Sequence, residues 1–374
     1  MGFALDEKIL AETQVAVIGA GAIGCSIAYH LARRGTFVTV IEADDIAAVT
    51  SSATLGLVWV QQKSPAEYME LNLLSSQLHR VLAKNFEEDV ELTQPGGVDS
   101  YLDNAYFEEQ VAVMEQLNAA SPKYQARALT PDEARELEPD LSHEIVGAIY
   151  CPHDGEINPI SLVVNLARSA RKLGVTFLTH TLVRSITRDE TGVTGVETEC
   201  GLIRACGIVV AAGTACSTLV LPLGLEMPQV CERGQIIVTE AMRRVLIHPT
   251  DISRQTVRGN ILLGTTHEPG CQERYATTAE GFRHIVDQSV RRFPILKDAQ
   301  IIRAFSGIRP LPKDGLPYLG AVNRIPGLYV ATSHSGITLA PIHGKVISEL
   351  ILDGRTDVPI QSYRPERYMD LTSV

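Results

Sequence analysis

Three glycines and an acid carry the first chemistry legible in this chain. In QVAVIGAGAIGCSIAYHLARRGTFVTVIE, residues 14–42, an apolar run with Val15, Val17 and Ile18 meets Gly19, Gly21 and Gly24, and a second apolar run ends on Glu42. Gly19 permits a tight turn, Gly21 lets a pyrophosphate approach the backbone, and Gly24 lets a helix pack closely on a strand. Free N–H groups at the helix start, with the helix dipole behind them, then face the phosphates. Glu42 follows the glycines at about 20 residues, where a carboxylate accepts hydrogen bonds from a ribose diol and repels a 2′-phosphate. The spacing predicts a strand–helix–strand unit that binds an adenine dinucleotide lacking that phosphate. No Ser-His-Asp arrangement or metal-ligand spacing accompanies it.

The elements that must position this unit follow from the rest of the chain. With 374 residues, 45% of them apolar and 21% charged, two lobes around a substantial core are expected. A net charge of −11 without a basic stripe argues against nucleic acid. The seven cysteines are scattered, with no C-x-x-C, so reduced thiols and a cytoplasmic location are expected. No apolar run is long enough for a membrane span. Asp6 stands where a myristoylation signal wants Ser or Thr.

Helical spacing predicts helices over 65–87, 107–119, 158–174 and 278–293, and TPDEARELEP (130–139) reads as a short capped helix. Residues 175–186 read as one strand, followed by a hairpin through 204. Residues 207–219 and 327–353 each repeat the opening pattern of strand, glycine turn and helix. The fold class is therefore α/β, a Rossmann-like nucleotide domain (1–85, 145–222 and 305–374) interleaved with a β-rich α+β substrate lobe (86–144 and 223–304). Three returns to one sheet suit a flavoprotein, whose FAD lies extended across several loops.

The glycine motif and four later segments, in order, resemble the D-amino-acid oxidase family of FAD-dependent enzymes, over nearly the whole chain. The resemblance implies that Ala20, Ala22 and Ile23 between the glycines, and Ala43 after Glu42, join the cofactor surface. It implies that Thr50, Ser51 and Ser52 of TSSATLGLV donate to phosphate oxygens, with Leu57 leading the chain past the flavin. Val183 then meets adenine through its backbone, and Ala211, Ala212 and Gly213 turn against the adenosine half. In SGIRPLPKDGLPYLG, Gly307 and Arg309 match a G-x-R-P segment whose arginine takes the substrate carboxylate. A guanidinium suits that task, being planar, bidentate and charged at any working pH. In YVATSHSGITLAPIHGK, Gly336, Ile337 and Thr338 aim backbone N–H groups at the flavin, while His334 and Ser335 shape the turn.

Two departures from glycine oxidase bear on substrate: Ile252 replaces a tyrosine, and His267 an apolar residue, so His267 and Glu268 are expected at a substrate other than glycine. No Cys or His stands where relatives tether the flavin, so the FAD is expected to be non-covalent. The implied activity is oxidation of an amino-acid C–N bond, on an opine, hydroxyproline or proline type of secondary amine, in a subunit passing electrons to partner subunits. The alternatives are a self-sufficient glycine, sarcosine or D-amino-acid oxidase making peroxide, a flavoprotein module without turnover, and an NAD-dependent dehydrogenase.

Overall fold

Strand Ile9–Ile18 organises the larger lobe. It pairs in parallel with Gly201–Val210 on one side (Val15 opposite Gly207, Ile18 opposite Val210) and with Val38–Ile41 on the other. In the computed structural model, which describes residues 9–271 and 276–369, the order across this sheet is Tyr318–Ala321, Leu328–Thr332, Gly201–Val210, Ile9–Ile18, Val38–Ile41 and Thr176–Leu178. The central strands are parallel and almost wholly apolar, as strands covered on both faces must be. Hairpin strands Val183–Asp189 and Gly192–Thr198 fold back on Gly201–Val210.

Helix Ala22–Ala32 is buried at every position but His30, so it lies inside the lobe rather than on its surface. It packs with helices Pro159–Lys172 and Gly336–Asp353 over one face of the sheet. Gly344 makes that crossing possible, since a Cβ there would stand 2.3 Å from His30 Nδ1. Asn158 caps Pro159–Lys172 by accepting from Ser161 N, and Thr130 and Glu133 form a reciprocal capping box at Pro131–Leu137.

The second lobe is built on an antiparallel sheet in which strand Gln229–Ala241 pairs along its length with Ile301–Pro312. Helix Ala279–Arg292 covers it, sharing an apolar core with a three-stranded sheet of Gly97–Tyr101, Arg127–Leu129 and Gly147–Cys151. Strand Gly147–Cys151 and the whole strand bearing Arg309 pair with strands of this second lobe, whereas the expected division puts residues 145–151 and 305–312 with the nucleotide domain. The expected strand 175–186 is two strands, Thr176–Leu178 and Val183–Asp189. The chain bends between them at His180 (φ 51°), and Thr181 N donates to Glu42 O at 2.8 Å. Among the described residues, no helix is long and apolar enough to cross a membrane.

Two buried histidines hold the start of the last helix. His79 donates from Nε2 to the carbonyls of Ile337 (2.9 Å) and Thr338 (3.1 Å), and His343 donates from Nδ1 to Leu339 O (2.9 Å). Burial pushes both pKa values down to about 4, so both rings are neutral. A histidine with a folded pKa below its unfolded value of about 6.5 takes its proton first in the unfolded chain. Its stabilising effect is whole above that value and is lost as pH falls toward 4. We expect the urea midpoint to drop between pH 6.5 and 4.5. His343→Met, which cannot titrate, should flatten the dependence by up to about 1.4 kcal/mol per pH unit.

Candidate active site

One cavity of about 1080 Å³ runs from the glycine turn to the substrate lobe. Gly19 (φ +106°) presses so close to the strand Gly201–Val210 exit that a Cβ would stand 2.5 Å from Ala211 O. A Cβ on Gly24 would lie 2.0 Å from Gly19 O, so these two glycines fix the turn itself. Gly21, facing the cavity, would meet only Ser51 Oγ, at 3.1 Å. Ala22 and Ile23 line the cavity with it, whereas Ala20 and Gly24 lie behind as backbone support. Glu42 is braced by Ala20 N (2.7 Å to Oε2) and Asp44 N (2.9 Å to Oε1), and each oxygen keeps a lone pair for a ribose hydroxyl. Ala43, Val183, Ala211, Ala212 and Gly213 line the cavity too, as expected of a wall for the adenosine half.

The three hydroxyls at 50–52 divide their work. Ser51 Oγ accepts from Ala22 N (3.0 Å) and keeps its own proton to donate into the cavity. Thr50 lines the cavity but donates to Ile308 O at 2.8 Å, and Ser52 donates to Val49 O at 3.2 Å and does not line it. Of the three expected donors, Ser51 alone is uncommitted in this structure.

At the far end, helix Gly336–Asp353 begins without a side-chain cap. Ser335, Gly336, Ile337 and Thr338 line the cavity, as does Leu57 opposite them. Thr338 Oγ1 accepts from Trp59 N (3.0 Å) and donates to Leu57 O (3.2 Å), which fixes that turn on the loop 57–59. His334 also lines the cavity. Burial, followed by the fields of Lys63, Arg309 and His267, holds its pKa down at about 3, so its ring is neutral and a poor base.

Arg309 reaches the cavity over Gly234, where a Cβ would stand 2.4 Å from Nη2, and Gly307 is needed because a Cβ there would strike Ala53. Nη1 of Arg309 donates to Glu232 (2.8 Å) and Thr266 O (3.0 Å), and Nη2 donates to Thr265 Oγ1 (2.5 Å). Burial lowers its pKa, and Glu232 opposes that shift. Five N–H donors less these three leave Nε–H and one Nη2–H, enough for the two oxygens of a carboxylate.

His267 lines the cavity, its Nδ1 2.9 Å from the same Glu232 oxygen. Glu268 departs from its expected place. Neighbouring residues of extended chain point to opposite sides, and Glu268 turns away from the cavity to accept from Arg233, Gln235 (2.6 Å) and Thr266 (2.5 Å). Burial raises its pKa, but these hydrogen bonds outweigh it and the carboxyl stays low.

Further polar residues line the substrate end without having been anticipated: Gln62, Lys63, Asp251, and His284, Gln288 and Arg292 along one face of helix Ala279–Arg292. The i, i+4, i+8 spacing of the last three was a legible signal. Asp99, just behind, accepts from Tyr101 (2.6 Å) and Gln62, and burial together with the Asp251 carboxylate pushes its pKa well above the usual range. Among the described residues, no group of three or more His, Cys, Asp or Glu is placed to hold a metal ion.

The sequence profile of the family described as FAD dependent oxidoreductase matches residues 14–350. An opine oxidase subunit from Rhizobium meliloti is 28% identical over 376 residues, covering 96% of this chain and 98% of its own. The crystal structure of glycine oxidase from Geobacillus kaustophilus superimposes with a TM-score of 0.88 at 27% identity, across 96% of this chain and 99% of that one. L-Proline dehydrogenase from P. horikoshii gives a TM-score of 0.88 at 25% identity, across 96% and 98%.

FAD fits the donors present. The backbone is open at Gly21, Glu42 has lone pairs to spare, Ser51 has a free proton, and the last helix starts uncapped in the cavity wall. Glu42→Gln keeps the shape but removes the charge that strengthens the ribose contact. FAD titrated into the apoprotein by flavin fluorescence should then bind about tenfold more weakly.

Proposed function

Because the chain belongs to the family of FAD-dependent oxidoreductases, we propose that it oxidises the C–N bond of an amino acid, preferably a secondary amine of opine, hydroxyproline or proline type. Bound FAD supplies the chemistry by accepting a hydride from the carbon beside the nitrogen. The amine loses its proton as well, and the imine formed is hydrolysed by water.

The chain's own residues bind and orient. Arg309, braced by Glu232, Thr265 and Thr266, presents its two remaining N–H donors to the carboxylate and so sets where the α-carbon lies. That uncommitted fork in the cavity wall is the observation that carries the proposal. No catalytic base is invoked, since His334, an imidazole of the cavity wall, is held neutral with too low a pKa to take a proton from an ammonium. A substrate already in the free-amine form needs none. The first turn of helix Gly336–Asp353 directs its free N–H groups and dipole toward the cavity, where they favour negative charge. We take the FAD to be held non-covalently; among the described residues no cysteine lines the cavity.

We assign the chain to the catalytic subunit of a dehydrogenase that hands electrons to partner subunits, a role supported by its similarity to a protein named as a subunit of opine oxidase. Similarity to glycine oxidase favours the second reading, a self-sufficient oxidase of glycine, sarcosine or a D-amino acid. A peroxide assay on the purified chain separates the two.

Anaerobic mixing with a panel of amino acids and opines should bleach the flavin's visible absorbance for one carboxylate-bearing amine. No bleaching by any amine would overturn the assignment. Arg309→Met should cost kcat/KM the equivalent of roughly 2–4 kcal/mol on that substrate. Gly234→Ala puts a methyl where Nη2 lies, so KM should rise while the FAD dissociation constant stays unchanged.

A further inference from the structure

Another cation of the cavity wall has no acid in ion-pair contact among the described residues. Lys63 lines the wall at the substrate end, and among the described residues its ammonium has no hydrogen-bond or ion-pair partner. Arg309 differs in this respect, being paired with Glu232. The acid whose field acts on Lys63 is Asp154, whose oxygens already accept from Val60 N (2.5 Å), Gln61 N (3.3 Å) and Gln61 Nε2 (2.8 Å). Burial pushes the Asp154 pKa up to about 7, against its hydrogen bonds and the field of Lys63, and pushes the Lys63 pKa down to about 8. An isolated ammonium at such a place is costly unless an anion comes to it.

The turn that carries Lys63 is held from both sides. Gln61 is tied to Asp154, and Gln62 reaches the other way to Asp99 and to Tyr101 Oη at 2.7 Å. Gln62 itself sits at φ +61°, a conformation an L-residue adopts at some cost. The chain is thus bent and pinned at the residue before Lys63, which directs this side chain into the cavity rather than to solvent. Lys63 and Arg309 both act on His334, which lies in the wall with them.

We infer that Lys63 anchors a second carboxylate, so that the cavity takes an amino acid bearing two carboxylates, one on Arg309 and one on Lys63. This rests on the assignment of Arg309 to a substrate carboxylate. Lys63 is then a specificity-determining residue. It adds affinity for a dicarboxylate and nothing for a simple amino acid.

The two carboxylates could flank the nitrogen, as in an N-carboxyalkyl amino acid, or lie together on one side of it, as in an acidic side chain. Thioethers, which lack the oxidisable amine, distinguish these in the FAD-loaded protein. The probes are thiodiacetate (one carboxylate on each side of sulfur), (methylthio)succinate (both on one side) and (methylthio)acetate (a single carboxylate), each titrated by calorimetry. The wild type should bind at least one dicarboxylate more tightly than (methylthio)acetate, and the tighter of the two names the arrangement. Lys63→Met should weaken that dicarboxylate by about 30-fold, the loss expected of one desolvated charge pair, and leave (methylthio)acetate within about twofold. Lys63→Arg should restore most of the preference. Equal weakening of all three probes by Lys63→Met, or a wild type indifferent to the second carboxylate, would overturn the proposal. If Lys63→Met fails to retain FAD, the wild-type preference and its persistence in Lys63→Arg decide instead. Should Arg309→Met leave (methylthio)acetate binding intact, the Arg309 assignment falls and the two-point clamp with it. A flat result at Lys63 alone removes only the clamp.

Discussion

Everything in this molecule hangs on the contact between the first strand and a strand almost 200 residues later. Ile9–Ile18 and Gly201–Val210 run in parallel, and at their ends Gly19 lies so close to the Ala211 carbonyl that no side chain fits between them. This seam brings the phosphate turn and the adenosine turn to one edge of the sheet, outside the carboxyl ends of the strands, where open α/β sheets bind ligands. Parallel pairing needs long crossovers. The chain uses them to build the substrate lobe in excursions from the same sheet, so that cofactor and substrate walls share one cavity.

The substrate wall is electrically crowded, and the fold deals with each charge differently. Arg309 is partnered but not exhausted, Glu268 is turned away and saturated, and Asp99 accepts from Tyr101 and Gln62, its pKa raised by burial and by the Asp251 carboxylate. His334 is kept uncharged by its surroundings. Side chains that would otherwise compete for an incoming carboxylate are mostly occupied with each other.

What was legible in the sequence was whatever depends on local spacing. The glycine turn with Glu42, the capped helix at Pro131–Leu137 and the A-A-G turn each declare themselves within a few residues, and Arg309 stood out through the Gly and Pro beside it. What escaped depends on tertiary placement. Lys63 in QQKS reads as an ordinary surface lysine until the turn at Gln62 is seen, and Asp99 and Asp251 are meaningless singly. Gly234 looks like a weak spot in a strand until the guanidinium lying over it is known. Glu268 misled because adjacency in sequence suggested a shared role with His267, and extended backbone sends neighbours to opposite sides. The bend at His180 broke a strand that was continuous by composition alone.

The hydrogen bond from Thr50 to the Ile308 carbonyl joins the loop beside the phosphate turn to the strand next to Arg309. Together with Ala53 packed against Gly307, that contact ties the two halves of the cavity to each other. A ligand that steadies residues 50–52 also steadies the strand on which the guanidinium is mounted. Thermodynamic reciprocity then runs in both directions, since whatever factor the nucleotide adds to the affinity for a carboxylate, the carboxylate must return to the nucleotide.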